Sequence, residues 1–332
     1  MVDTATDQVA GKTAVVFGAS GFVGRHVVRE LADRGWRVRA AVRRPNVAQF
    51  LRPLGAVGQI ELVQTNIRYR PSVAAALEGA DAVVNLVGIL APIGAQKFDT
   101  VQAAGARNVA DLATAAGITN VVHVSAIGAD EASESDYART KGEGEAAVRE
   151  FSPEATILRP SIIFGPQDDF FNRFAAMAKT APALPLIGGG KTKFQPIYVD
   201  DVADCVAKAL AEPGFDGKTY ELGGPDVRTF KELLQMMLRI IGRNRILLPL
   251  PFFAAGAMGS IGDALSMLPF VQAPITADQV KLLKRDNIVG ISGEDGVGTI
   301  DDFGITPETM ETILPTYLVR FRSKGQFSPE TV

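Results

Sequence analysis

Three glycines spaced three residues apart, Gly18, Gly21 and Gly24, close the apolar run Ala14-Val15-Val16-Phe17 and open a helical pattern. No other stretch restricts the fold so strongly. Gly18 allows a tight turn out of the strand, Gly21 lets backbone approach a pyrophosphate, and Gly24 lets the following helix pack closely on the strand. The helix start then turns free N–H groups toward phosphates. Such a fingerprint has meaning only between a strand and a helix of a βαβ unit. Both flanks comply: residues 24–34 carry Val27, Val28 and Leu31 at helical spacing before the breaker Gly35, and residues 36–42 supply the next strand. The turn offers Gly18, Ser20, Gly21, Phe22, Val23 and Gly24 as dinucleotide-binding candidates.

The alternation continues along the chain. Strands are expected over 60–64, 82–87, 121–125 and 155–160, with helices over 73–77, around Val101, Val109 and Leu112, and over 137–151. This is an α/β pattern and predicts a Rossmann-type doubly wound parallel sheet with right-handed crossovers and a nucleotide across the carboxyl ends of the strands. Residues 1–160 hold most of it. Residues 161–332 form a smaller C-terminal, substrate-type lobe, partly interleaved with that core: helices over 170–179, 200–210 and 230–241, strands over 194–199 and 218–222, and a loop at Gly188-Gly189-Gly190.

Bulk properties exclude several classes. A net charge of −3 over 332 residues argues against nucleic-acid binding, which calls for a basic surplus or stripe. One cysteine, Cys205, rules out an internal disulfide, and His26 and His123 alone make no metal cluster, so no metal is expected. Cys205 lies in an Ala/Val-rich helical pattern and reads as a small buried hydrophobe. The acidic first residues lack a signal-peptide pattern, so a cytoplasmic, reducing location is expected. Pro249 to Gln272 is apolar but interrupted by Pro251, Gly256 and Gly259. It reads either as helices capping the C-terminal lobe, the favoured view, or as an apolar patch meeting a partner or a membrane surface.

The end of the second strand separates NAD from NADP. An acid there would bind ribose hydroxyls, whereas this chain offers Arg43 and Arg44. Guanidinium groups pair well with a 2′-phosphate, so NADPH is the expected cofactor. Leu86, Val87 and Gly88 give the fourth strand a small exit for close cofactor approach, and Asn66, Ile67, Val124, Pro160 and Ile163, at or just past other strand ends, complete the candidate set. Tyr137 and Lys141 stand one turn apart on one helix face. An ammonium there favours the phenolate, so the pair suits proton transfer at a carbonyl, with Lys141 also on the nicotinamide ribose.

The glycine pattern, Asn85 to Gly88, Tyr137 with Lys141, and Leu158-Arg159-Pro160 through Pro166 together resemble the extended and atypical short-chain dehydrogenase/reductases. Within that superfamily, His123-Val124-Ser125-Ala126-Ile127-Gly128-Ala129-Asp130, Tyr137 to Lys141, Asp169 to Phe174 and Ile313 to Leu318 resemble the alpha-subcomplex subunit 9 type of accessory subunit of respiratory complex I, in bacterial form. The resemblance implies bound NADPH, a peripheral place on the hydrophilic arm near the inner face of the cell membrane, and a structural or assembly role. It also implies that Gly18, Gly21, Gly24 and Arg43 bind the nucleotide, with Tyr137 and Lys141 at its nicotinamide end.

One departure concerns turnover. Active members of the superfamily place a Ser or Thr just past the fifth strand to hold the substrate oxygen. Here Ser125 stands early, and no hydroxyl follows until Ser133. Loss of such a donor costs roughly 100-fold or more in rate. The expectation is an accessory subunit with little or no turnover; the alternative is a free NADP-dependent reductase or nucleotide-sugar epimerase with catalytic Tyr137, Lys141 and Ser125.

Overall fold

The computed structural model describes residue 9 and residues 11–92, 94–266, 276–291, 293–323 and 325–327. Its main feature is an eight-stranded sheet in which every pairing is parallel. The chain runs β1 (Thr13–Phe17), α1 (Phe22–Asp33), β2 (Arg37–Val42), β3 (Ile60–Gln64), α2 (Arg70–Leu77), β4 (Ala82–Asn85), α3 (Ala104–Ala115), β5 (Asn120–Val124), α4 (Asp136–Phe151) and β6 (Thr156–Pro160). Later segments return as α5 (Val199–Ala211), β7 (Thr219–Leu222) and β8 (Gly298–Thr299). The strand order is β8-β7-β6-β5-β4-β1-β2-β3. From β1 the chain winds outward through β2 and β3, then returns beside β1 as β4 and winds the other way. The doubly wound expectation therefore holds, with its reversal at β1 and β4.

Helices cover both faces, which is why the strands read as continuous apolar runs. On one face Val15, Phe17, Val83, Val121 and Ile157 pack with Val73 and Leu77 of α2, Val109 of α3 and Val148 of α4. Elsewhere α1 packs along α5. Val27, Val28, Leu31, Val202 and Val206 are fully buried, and an Arg34–Asp204 ion pair and the Arg29–Asp200 pair at 2.6 Å join the two helices. Cys205 is fully buried in α5, as expected of a small hydrophobe.

The strand expected over 194–199 is instead two short pieces, Lys193–Phe194 paired with Arg228–Thr229 and Ile197–Tyr198 paired with Ile163–Phe164, because the chain changes partner at Pro196. Two further boundaries differ from expectation for local reasons. β4 stops at Asn85, two residues early, because the Asn85 side-chain oxygen accepts the Val87 N–H at 3.2 Å and bends the backbone out of the ladder. The helix expected around Val101 is in two parts, with Asp99–Ala103 wound as a π-turn before α3. Such turns recur at functional sites. β8, only two residues long, carries no periodic signal and was not foreseen.

The chain folds into two compact units. The first comprises Met1–Pro160, Val199–Leu222 and Gly293–Thr306 and contains the sheet. The second comprises Ser161–Tyr198, Gly223–Ser292 and Pro307–Val332. Its core gathers Phe164, Phe171, Phe194, Phe230, Leu233, Met237 and Leu314, with Phe170, Phe174 and Phe230 in edge-to-face contact. Asp168 anchors this core from within, accepting the Tyr317 hydroxyl at 2.5 Å and the Phe171 N–H at 2.6 Å.

In the second unit Ala183–Ile187 and Ile246–Leu250 pair in parallel, two strands that the sequence pattern does not announce. The helix Phe252–Ser266 follows. Ala255 is buried with Ile187 and Val280, while Ile246, Leu248, Phe253 and Met258 are exposed, Phe253 to 83%. The described part of the 249–272 stretch thus has one seated face and one apolar outer face; residues 267–272 lie outside the described residues. Among the described residues, no helix is long and apolar enough to cross a membrane.

Candidate functional site

In a parallel sheet every strand delivers its following loop to the same edge. That edge collects Gly18 after β1, Arg43 after β2, Asn66 and Ile67 just beyond β3, Leu86 to Gly88 after β4, Val124 at the end of β5 and Pro160 at the end of β6. Ile163, the remaining sequence candidate, belongs to the second unit.

The reversal point is lined by glycine backbone. Gly18 has φ +84°, and a Cβ there would stand 3.2 Å from the Leu86 carbonyl carbon and 3.3 Å from the Val87 nitrogen. A side chain would fill the space between the first and fourth strand exits. Gly21 begins α1 without a side-chain cap, and the first turn of α1 carries no acid, so its N–H groups face outward under a positive helix end. Arg25 closes one side, donating to the Gly21 and Ser20 carbonyls and lying 4.8 Å over the Phe50 ring. The side chains of Arg43 and Arg44 are exposed and make no hydrogen bond or ion pair among the described residues.

Asn66 and Ile67 have structural work of their own. The Asn66 side chain accepts the Arg68 N–H at 3.2 Å, while Ile67 packs on Gly105 and gives its carbonyl to Asn108.

Tyr137 and Lys141 come from α4, whose start is capped by Ser135, with Asp136 in the first turn. Lys141 is 6% exposed and its ammonium donates to the Val124 carbonyl at 3.1 Å, the one side-chain hydrogen bond it makes among the described residues, leaving two donors. Burial pulls the ammonium down to about 8, opposed by Glu145 one turn further on. A buried cation with spare donors suits a pair of ribose hydroxyls. The expectation of a favoured phenolate needs correction, because burial pushes the Tyr137 phenol up to about 12. Desolvation outweighs the neighbouring charge, so Tyr137 is a protonated donor at neutral pH, packed edge-to-face on Phe98.

The positioning groups were not legible in the sequence. Thr140 donates to Gln102 in the π-turn at 2.7 Å, and Gln102 donates to the Ile89 carbonyl at 3.0 Å. This tie fixes the exit of β4 against α4. Gln102 could have been noticed as a polar residue at a buried helical position. Asn85 and His123 form a second buried pair at 3.1 Å, across the β4–β5 register.

The Lys141 pair carries a prediction. The folded protein holds the ammonium less readily than the unfolded chain, so it binds fewer protons between pH 8 and the ordinary lysine range, and stability rises with pH through that window. Lys141→Met should remove this rise and, with no nucleotide added, raise stability at pH 7 by on the order of 2 kcal/mol. Thermal unfolding from pH 7 to 10 measures both; a lower melting temperature for the variant at pH 7 would contradict the reading.

A glycine-lined reversal of an open parallel sheet, with a buried Lys141 keeping two donors beside it, belongs to proteins that bind nicotinamide dinucleotides. The groups fit such a ligand: a Cβ at Gly18 would crowd the Leu86 and Val87 backbone, and among the described residues the Lys141 ammonium and the Ser125 hydroxyl have hydrogen-bonding capacity unspent. The chain belongs to the NAD dependent epimerase/dehydratase family, which matches residues 14–223. It is 35% identical to mitochondrial NADH dehydrogenase (ubiquinone) 1 alpha subcomplex subunit 9 of Arabidopsis thaliana, over 98% of this chain and 81% of that protein. It is also 32% identical to a ceramide reductase of Caulobacter vibrioides, over 93% of this chain and 95% of that protein. Among solved structures it resembles the dTDP-glucose 4,6-dehydratase DesIV of Streptomyces venezuelae, with NAD bound, at TM-score 0.68 and 22% identity over 93% and 96% of the two chains. That last likeness speaks for the fold alone.

Proposed function

We propose that this chain is an accessory or assembly subunit of a respiratory NADH:quinone oxidoreductase, complex I, holding NADPH as a structural cofactor with little or no turnover. The observation that carries the proposal is likeness to the alpha subcomplex subunit 9 along 98% of the chain. Bound NADPH would supply the hydride chemistry of the nicotinamide. In this role, however, the chain's own residues grip it: Gly18 and Gly21 at the pyrophosphate, Arg43 at the 2′-phosphate, Tyr137 and Lys141 at the nicotinamide ribose. A nucleotide at 100 times its dissociation constant adds about 2.7 kcal/mol to folding stability, so the cofactor serves as a brace.

The preference for NADPH over NADH rests on the exposed Arg43 and Arg44. Arg43→Ala should weaken NADPH binding about tenfold and leave NADH unchanged, as read by titration of nicotinamide fluorescence. Equal losses for both nucleotides would remove Arg43 from the 2′-phosphate. Partners are subunits of the hydrophilic arm, and the exposed Ile246, Leu248, Phe253 and Met258 support contact with a membrane surface. The corresponding location is cytoplasmic, peripheral on the inner face of the cell membrane.

The test is a native gel of gently solubilised membranes from the source organism, probed for this chain and stained for NADH dehydrogenase activity. Comigration is expected. A chain running alone in the soluble fraction would overturn the subunit reading.

A second reading, a free NADP-dependent carbonyl reductase or nucleotide-sugar epimerase, is favoured by one observation: the ceramide reductase relative is matched over 95% of its length. Here Tyr137, held protonated, would give its proton to a carbonyl oxygen. NADPH oxidation with carbonyl compounds, and conversion of UDP-sugars, separate the two readings. Under the second, Tyr137→Phe abolishes turnover while nucleotide still binds.

A further inference from the structure

Two buried polar atoms on β5 and its exit have no hydrogen-bond partner among the described residues: His123 Nε2 and Ser125 Oγ. Their residues are 2% and 4% exposed. Being two apart in extended chain, they point to the same side of the sheet. That side is the one covered by α4, since Val121, a further two residues back, packs there with Val148.

The proton on His123 can be placed. Asn85 Oδ1 is taken by the Val87 N–H, which fixes the amide and leaves Nδ2 facing His123 Nδ1 at 3.1 Å. An amide nitrogen only donates, so Nδ1 accepts and the ring carries its hydrogen on Nε2. Burial, then the charges of Lys141 and Arg149, push the imidazole down to about 3, so the ring stays neutral. A neutral N–H donor and a hydroxyl therefore lie buried on one face. Leaving both unsatisfied is costly, and buried polar groups of this kind are commonly joined by an internal water.

We propose that His123 is a positioning residue for Ser125, acting through one internal water that accepts the Nε2 hydrogen and donates to Ser125 Oγ. With its acceptor side engaged from behind, the Ser125 hydroxyl directs its own hydrogen outward, toward an oxygen acceptor of a bound ligand at the carboxyl edge of the sheet. The chemical class of that acceptor is a carbonyl or carboxamide oxygen. The identity of the edge as a nucleotide site rests on the reading above; the bridge between His123 and Ser125 does not.

Nitrogen-15 NMR of the full chain labelled at histidine tests this. The expected spectrum shows His123 as the Nε2–H form with no titration between pH 5 and 9, and an Nε2 hydrogen that cross-relaxes with water. In Ser125→Ala that hydrogen should shift and exchange about tenfold faster; Ser125→Thr, which keeps the hydroxyl, should restore the slow exchange. An Nδ1–H form, or an Nε2 signal indifferent to Ser125→Ala, would overturn the assignment. NADPH added to the same samples separates the readings. Absence of binding removes the nucleotide site and leaves the bridge standing, whereas binding together with an Nε2 signal indifferent to Ser125→Ala removes the bridge alone.

Discussion

Gly24→Ala should destabilise the first unit by about 3 kcal/mol, the upper range for overpacking, and lower its melting temperature by roughly 6–12 °C. A Cβ at Gly24 would stand 2.2 Å from the Gly18 carbonyl oxygen and 2.7 Å from Ala19 C and O. All three are backbone atoms, and they belong to the turn itself. No side chain can rotate aside, so α1 must lift from β1 or the turn must deform. Either response also spoils the first turn of α1, and NADPH binding should be lost with stability. Gly256→Ala is the contrast: among the described residues nothing outside its own stretch of helix lies within 4 Å of the added carbon, and the change should be neutral or stabilising by up to about 1 kcal/mol. Thermal unfolding of both variants measures the difference. A Gly24→Ala protein as stable as the parent would mean that α1 does not need its close approach.

The second large effect lies at Arg159. The residue is 8% exposed, and its guanidinium meets Glu145 through three contacts between 2.7 and 3.1 Å, with Glu294 at 2.8 Å on the other side. Glu145 is itself buried, whereas the Glu294 side chain is 49% exposed and can turn to water. Arg159→Met therefore strands one carboxylate beneath the sheet, and should cost about 3–5 kcal/mol. Adding Glu145→Leu should recover most of the loss, because a well-packed apolar pair avoids the desolvation that the ion pair only offsets. Guanidinium unfolding of the single and double variants decides it. Equal instability in both would mean that Arg159 acts by shape and not by charge.

The local features were legible. Gly18, Gly21 and Gly24 announce a strand-to-helix turn because backbone freedom and close packing are properties of those residues themselves, and the apolar runs of β1, β4 and β6 announce a sheet covered on both faces. What remained hidden depends on partners distant in sequence. The end of β4 is set by an Asn85 side chain that also reaches His123, and the joint between Thr140 and Gln102 spans 38 residues. The titration of Tyr137 could not be read from its spacing to Lys141, since spacing shows the neighbouring charge and conceals the burial that outweighs it. β8 has two residues and no pattern to read.

The interrupted course of the first unit has a consequence for synthesis. When β6 leaves the ribosome its outer edge has no neighbour, because β7 begins at Thr219 and β8 at Gly298. At about 10 residues per second, that edge waits several seconds for β7. Glu294, the second partner of Arg159, arrives later still. An uncovered parallel edge invites pairing with another chain, so the nascent protein passes through an interval in which its longest sheet is a template for association. Fragments ending near Pro160 would make that interval permanent, and should be recovered as aggregates even though they contain the whole glycine turn.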